Sequence, residues 1–286
     1  MEENFKRKST KEKIVLWIVF GVFVVYAISL LIPFVWAFFS SLKTDDEYYG
    51  RVFSWPKDWL FSNYINAFSQ FKVGKVTFAQ MFLNSVWLAI GGTLVSVMVT
   101  SMTAYTVAKY EFFGSKFLYK LAIFLMVIPI VGNLPATYRL VVSAGLDNPV
   151  GILVLWTGGF GMNFVILHGA YKSVSWTYAE AAFMDGASDS RVYWSIMLPQ
   201  AVPVLVSLGV LSFIGVWNDY QTPFLYLRKT PTLALGIYQF DLMQQYRSNI
   251  PVYYCGVLMS IVPVLLLYCF MQKTILQNTV AGGLKG

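Results

Sequence analysis

Six long apolar runs constrain what this 286-residue chain can fold into. They cover residues 14–39, 83–107, 117–136, 149–170, 200–227 and 252–272. A helix crosses the hydrocarbon core of a bilayer with about 20 consecutive apolar residues, and each run reaches that length. Inside lipid every backbone N–H and C=O must bond within its own segment, so each run predicts a helix. Only 12% of the residues are charged, against about a quarter in soluble domains, too few to cover the surface of a soluble protein this long. The expected fold class is all-α, a polytopic integral membrane protein with six transmembrane helices.

The same runs set the expected organisation: 1–13 a cytoplasmic N-terminus, 14–40 the first transmembrane helix and 41–79 an extracytoplasmic loop. A five-helix core then fills 80–272 and contains a distinctive loop at 171–199, and 273–286 is a cytoplasmic tail. The first run is too long for the apolar region of a secretory signal and has no small-x-small cleavage pattern, so it reads as a retained span, kinked at Pro33. Assigning every Lys and Arg to a loop under this topology leaves 12 inside and 9 outside. Short loops carry most of the orienting signal, and the first outer loop also holds Asp45, Asp46, Glu47 and Asp58, so the N-terminus reads as inside.

The net charge of +7 does not form a basic stripe with interleaved aromatics, so nucleic acid is not an expected partner; membrane lipid is. Cys255 and Cys269 are fourteen residues apart in one run, about 21 Å along a helix, which excludes a disulfide between them. His168 is the only histidine and reads as a packing residue, so no metal site is expected. No Gly-x4-Gly-Lys-Ser/Thr occurs, so the chain has no phosphate-binding loop for ATP, and no catalytic residues are assigned. The loop at 43–78 is rich in aromatics (Trp55, Trp59, Phe61, Tyr64, Phe68), and two readings stay open: an interfacial aromatic belt with a short surface helix, or a docking face for an external protein.

The 171–199 loop is unlike the others. Ala179–Met184 are good helix formers, Asp185-Gly186 is a turn signal, and Ser188 can cap a second short helix running to about Met197. Pro199 comes next, and the fifth span is expected to begin there. Small side chains at Ala181, Ala182, Gly186 and Ala187 allow another protein to approach closely.

Glu180-Ala181-Ala182, then Gly186, then Ile196-x-Leu198-Pro199 resembles the EAA signature of permease subunits of binding-protein-dependent ABC importers. Asp185-Gly186-Ala187-Ser188, Trp217-Asn218-Asp219-Tyr220, the stretch Tyr105–Lys109 followed by Phe113-Gly114, and the ending Thr279–Gly286 are similar to the maltose-type carbohydrate branch. The resemblance implies that the loop is a cytoplasmic coupling helix docked on an ATPase, with Glu180, Ala181, Ala182, Asp185 and Gly186 at the contact. Ile196, Leu198 and Pro199 would pack the second short helix against the fifth span. It also implies four partners: a second permease subunit, two ATP-binding cytoplasmic subunits that use ATP and Mg, and an extracytoplasmic substrate-binding protein. No cofactor is bound by this chain itself. The sequence departs from the family pattern at Val174–Tyr178, where Ile-Pro-x-x-Leu is common, and at Phe183, where a basic residue is common.

Candidates for the substrate pathway are Asn163, in the glycine-rich stretch 158–163, and Trp217, Asn218, Asp219 and Tyr220. Asn218 and Asp219 are boundary capping residues if the fifth span ends near 220, and pathway residues if it continues toward 227. The implied function is ATP-driven import of a carbohydrate, an oligosaccharide first of all, across a bacterial or archaeal cytoplasmic membrane. A polyol or glycerol-phosphate-type solute is the alternative. An ion-driven secondary transporter would call for intramembrane charges and inverted repeats, neither of which is evident.

Overall fold

The computed structural model describes residues 10–128, 132–244 and 249–283, and within them the architecture is helical with one small hairpin. In chain order the elements are α1 (Thr10–Ser41), α2 (Asp45–Gly50), α3 (Ser62–Gln70), β1 (Lys72–Val73), β2 (Val76–Thr77), α4 (Phe78–Lys109), α5 (Ser115–Val127) and α6 (Leu134–Ser143). Then come α7 (Pro149–Leu155), α8 (Met162–Ser173), α9 (Thr177–Met184), α10 (Asp189–Val192), a π-helical turn (Tyr193–Met197), α11 (Leu198–Asn218), α12 (Gln221–Tyr226), α13 (Leu233–Gln244) and α14 (Ile250–Gly283). Among the described residues four helical stretches are long and apolar enough to cross a membrane: Thr10–Ser41, Phe78–Lys109, Asp189–Asn218 and Ile250–Lys273.

The remaining two runs are not continuous helices. The third, expected over 117–136, stops at Val127; a new helix starts only at Leu134, with Pro135 in its first turn. Proline lacks an N–H and disfavours helical geometry in the residue before it, so it starts helices more readily than it continues them. Pro129, expected to kink this run, lies outside the described residues. The fourth run breaks between Leu155 and Met162, where Gly158, Gly159 and Gly161 give the backbone no side chains to hold a helix. The fifth ends at Asn218 rather than near 227, and the sixth continues past 272 to Gly283, into the segment expected to be a tail.

The chain divides into two compact units. One comprises the residues up to Ser69 with Asp241–Met259. Here α1 is exposed over residues 10–35, which suits a helix whose neighbour is lipid. Its C-terminal end is tied to the next connection by Asn63, whose Nδ2 donates to the Ser41 and Lys43 carbonyls at 2.9 and 2.8 Å. Lys43 is 1% exposed, and its Nζ donates to the Arg51 and Val52 carbonyls at 2.9 and 3.0 Å. Thr44 caps α2 by accepting from the Glu47 N–H. The Trp36 ring meets Tyr254 edge-on at 5.3 Å.

The larger unit, Gln70–Phe240 with Ser260–Gly286, is built on α4. Gln80 reaches back to accept from the Thr77 N–H at 3.0 Å, which fixes where α4 starts. The helix lies against α8 and α11, and the three enclose a core that includes Ala104, Tyr105, Phe164, Leu167, Tyr171 and Leu208. Close approach of α4 to the end of α7 requires Gly92: a Cβ there would sit 2.5 Å from Cε3 of Trp156.

Candidate functional site

The 171–199 loop begins where Trp176 caps α9, its carbonyl accepting from the Ala179 and Glu180 N–H groups. The helix ends in a Schellman motif. The Ala187 N–H donates to the Ala182 carbonyl at 2.9 Å and the Gly186 N–H to the Phe183 carbonyl at 3.0 Å. Closing those bonds puts Gly186 at φ +77°, the left-handed region that glycine enters without steric cost. Ser188 then caps α10, accepting from the Arg191 N–H, as the sequence suggests.

Beyond this cap the chain departs from the expectation of two helices parted at Pro199. Asp189–Asn218 is one uninterrupted helical stretch. Pro199 has no N–H to give the carbonyl four residues before it and would collide with that carbonyl in a regular helix. The chain answers with a π-helical turn, in which the Leu198 N–H donates to the Tyr193 carbonyl five residues back. Ile196, Leu198 and Pro199 therefore lie inside the stretch that leads into α11; they do not join a separate short helix to it.

The loop has a buried side and an open side. Ala179, Val192 and Met197 are fully buried in the α4–α8–α11 core, with Ala182, Phe183 and Leu198 half-buried against it. Glu180, Ala181, Asp185, Gly186 and Pro199 are exposed, and so is Met184, at 88%. Of the predicted contact residues Ala182 thus turns partly inward, as do Ile196 and Leu198 of the predicted packing residues. Tyr178 and Met184 also face outward, and no motif in the sequence singles them out.

Beneath the loop is a set of hydroxyl bonds that sequence reasoning also missed. Ser101 Oγ on α4 lies 2.6 Å from the Tyr171 hydroxyl and 2.9 Å from that of Tyr193, and the Tyr105 ring packs against both tyrosines. Tyr110, just past α4, donates its hydroxyl proton to Asp189 Oδ1 at 2.7 Å. Burial first, then the bonds to Tyr105 and Asp189, push the Tyr110 phenol above its ordinary value, so it stays a donor. Lys109 Nζ donates to the Val174 carbonyl. The loop is thereby fastened to α4 and α8 at three places.

The pathway candidates do not converge. Trp217 is 4% exposed, stacks on Phe213 and donates its Nε1–H to the Ser260 carbonyl at 3.0 Å. Asn218 donates to the Ile214 carbonyl one turn back, and Asp219 Oδ1 accepts from the Thr222 N–H at 3.0 Å at the start of α12. Tyr220 stacks on Tyr238 at 4.2 Å. Asn163 stands at the first turn of α8. His168, read as a packing residue, stacks on Tyr119 at 4.3 Å. Among the described residues no three His, Cys, Asp or Glu side chains could together hold a metal ion.

A cavity of about 660 Å³ opens near the α6–α12–α13 end of the larger unit, lined among others by Tyr138, Arg139, Phe224, Arg228 and Gln239. Tyr138 stacks on Tyr226 beside it at 5.7 Å. Aromatic faces next to hydrogen-bonding groups suit a sugar ring, which has apolar faces and a polar rim. Its lining comes from four separated segments, none with a motif of its own.

The family described as binding-protein-dependent transport system inner membrane component matches residues 96–274. The chain is 27% identical over 263 residues to the diacetylchitobiose uptake system permease protein NgcG of Streptomyces coelicolor, covering 91% of this chain and 85% of that one. It is 25% identical over 265 residues to the melibiose/raffinose/stachyose import permease protein MelC of Bacillus subtilis, covering 92% and 94%. A solved bacterial ABC transporter involved in import of the acidic polysaccharide alginate has a chain of the same fold, with a TM-score of 0.77 at 24% identity over 94% of this chain and 99% of that one.

Proposed function

The chain belongs to the binding-protein-dependent transport system inner membrane components, and from that premise we propose that it is a permease subunit of an ATP-driven importer carrying an oligosaccharide across the cytoplasmic membrane by alternating access. In this reading it crosses the membrane six times, four times by unbroken helices and twice by the interrupted stretches α5–α6 and α7–α8, with both termini in the cytoplasm. A second permease completes the pathway, two cytoplasmic ATPase subunits bind ATP and Mg, and an extracytoplasmic binding protein delivers the sugar. The relatives that support the sugar are named for diacetylchitobiose and for melibiose, raffinose and stachyose.

The observation that carries the mechanism is the construction of the 171–199 loop. Its open side presents Glu180, Ala181, Met184 and Asp185 around the tight turn at Gly186, a surface shaped to enter a groove on the ATPase. Its buried side is locked into the core, and the helix from Asp189 runs on through α11 without a hinge. A force on α9 is therefore passed to a membrane-spanning helix as rigid-body motion. Ile196, Leu198 and Pro199 transmit that motion, whereas Glu180, Ala181, Ala182, Asp185 and Gly186 receive it. The solute path runs by the aromatic cavity, with Tyr220 sharing the Tyr238 ring with the lining residue Phe224 and Asn163 at the first turn of α8. Trp217, Asn218 and Asp219 hold the end of α11. The assay is ATP-driven sugar uptake in vesicles holding the whole transporter: Glu180→Ala and Gly186→Asp abolish coupling and weaken ATPase retention, and normal values for both would overturn the assignment.

One observation favours a second class of solute. Arg139 and Arg228 both line the cavity, and neither side chain has an ion pair or hydrogen bond among the described residues. A glycerol-phosphate-type solute would supply the anion. Competition of labelled-sugar uptake by glycerol phosphate separates the two readings.

A further inference from the structure

A second, smaller cavity lies at the opposite end of α4, and no part of the transport reading uses it. It measures about 380 Å³ and is lined by the end of α4, the start of α5 and the end of α8. Lys109, Lys116, Lys120 and Lys172 line it, with Glu111 as the one acidic residue on its wall. Lys109 and Lys172 stand in the last turns of α4 and α8, where a cation is stabilised by the helix dipole. Lys116 and Lys120 have no such reason: they are one turn apart at the start of α5, where like charges repel each other. Lys109 is already fixed by its bond to the Val174 carbonyl, and the other three side chains are exposed.

An adjoining pocket, which shares Glu111, Ser115 and Lys116 with this cavity and is also lined by Phe112, Phe113 and Phe117, indicates what sort of anion belongs there. Phe112, Phe113 and Phe117, on the α4–α5 connection and the first turn of α5, are all exposed. With 32 residues, α4 is about 48 Å long, more than the ~30 Å hydrocarbon core, so its last turn emerges at the headgroup level. A soluble anion needs only the lysines; an amphiphile uses the lysines for its headgroup and the phenyl rings for its acyl chains. Basic pockets between membrane helices take phospholipid headgroups by this division of labour.

We propose that this cavity binds the headgroup of an anionic phospholipid, its phosphate held by Lys116, Lys120 and Lys172 with Lys109 at the back, and its acyl chains against Phe113 and Phe117. The lipid would brace the α4–α5 corner, whose Tyr110 holds Asp189 of the coupling loop. This rests on the chain being a membrane protein, not on the solute it carries or the side the loop faces.

The test is native mass spectrometry of the full-length chain in neutral detergent, with phosphatidylglycerol, phosphatidylcholine of the same acyl chains, and inorganic phosphate as separate probes. The wild type retains phosphatidylglycerol over phosphatidylcholine. A lysine near a charged membrane surface is worth roughly a fivefold change in affinity, so K116Q/K120Q/K172Q weakens phosphatidylglycerol by about a hundredfold. K116R/K120R/K172R keeps it, and so does K72Q/K75Q/K229Q, which removes the same charge at the other end of α4. Equal retention of the two lipids by the wild type, unchanged binding in the glutamine variant, or an equal loss in the charge-matched control overturns the proposal. Inorganic phosphate binding as tightly as phosphatidylglycerol overturns the lipid assignment.

Discussion

Replacing Gly186 tests the link from backbone geometry to coupling most directly. The residue adopts φ +77°, and a Cβ added there would meet no atom within 4 Å. Steric clash with neighbours is therefore absent, and the cost of Gly186→Ala is the left-handed conformation alone, roughly 1–2 kcal/mol. That lowers the population of the closed Schellman turn about 5- to 30-fold. Asn tolerates the left-handed region and falls between Gly and Ala. Pro both locks φ near −65° and removes the N–H that bonds Phe183, so Gly186→Pro is the worst of the series. Hydrogen–deuterium exchange at the Ala187 amide, which bonds the Ala182 carbonyl and is present in every variant, reads the population of the turn in the full-length chain. Exchange should accelerate in the order Gly, Asn, Ala, Pro, and ATPase binding should fall in the same order. If Ala exchanges like the wild type, or if Asn and Ala are equally damaging, the turn is not what holds the loop in shape.

Three further outcomes rest on the packing. Ser101→Ala removes the shared partner of the Tyr171 and Tyr193 hydroxyls and costs about 1–3 kcal/mol, seen as a lower Tm of the detergent-solubilised protein; an unchanged Tm contradicts the hydroxyl network. Gly92→Ala drives a methyl into Trp156 and costs about 1–3 kcal/mol, and Trp156→Leu in the same chain restores stability; a double-mutant cycle with no coupling rules out this contact. Burial lowers the Lys43 pKa from its ordinary 10.5, with Glu47 opposing more weakly, so below 10.5 the unfolded chain binds more protons than the folded one. Stability should therefore rise with pH as it approaches 10.5 from the depressed folded value, and Lys43→Met should flatten the rise; a titration of denaturation midpoints in detergent decides it.

The membrane class of this chain was legible because lipid imposes one rule on every residue of a span. Runs of apolar residues located α1, α4, α11 and α14 to within several residues at most of their ends. The turn in the 171–199 loop was legible because turn chemistry is local: Gly186 and Ser188 announce a cap and a start within a few residues. Hydropathy did not show the breaks within 117–136 and 149–170 because it counts apolar side chains and ignores whether the backbone can stay helical through them. Pro135 and the glycines at 158, 159 and 161 were the available signals, the glycines marking a weak point in their run. The joining of α10 to α11 was not legible, since a proline beyond a short helix ordinarily marks a boundary and nothing local reveals a π-helical turn that absorbs it.

By itself, then, the sequence determined that the protein lives in a membrane, that it is helical, and that one loop ends a short helix in a glycine turn. These properties depend on neighbours in the chain or on the solvent. Only the tertiary structure decided that Ser101, Tyr171 and Tyr193 form one hydrogen-bonded group, that Arg139 and Arg228 share a cavity, and that lysines from three helices surround another. Those residues come from distant parts of the chain, on elements whose ends meet only after α4, α8 and α11 pack. Their meeting is fixed by which helix faces fit each other, a property of side-chain shape that no local pattern encodes.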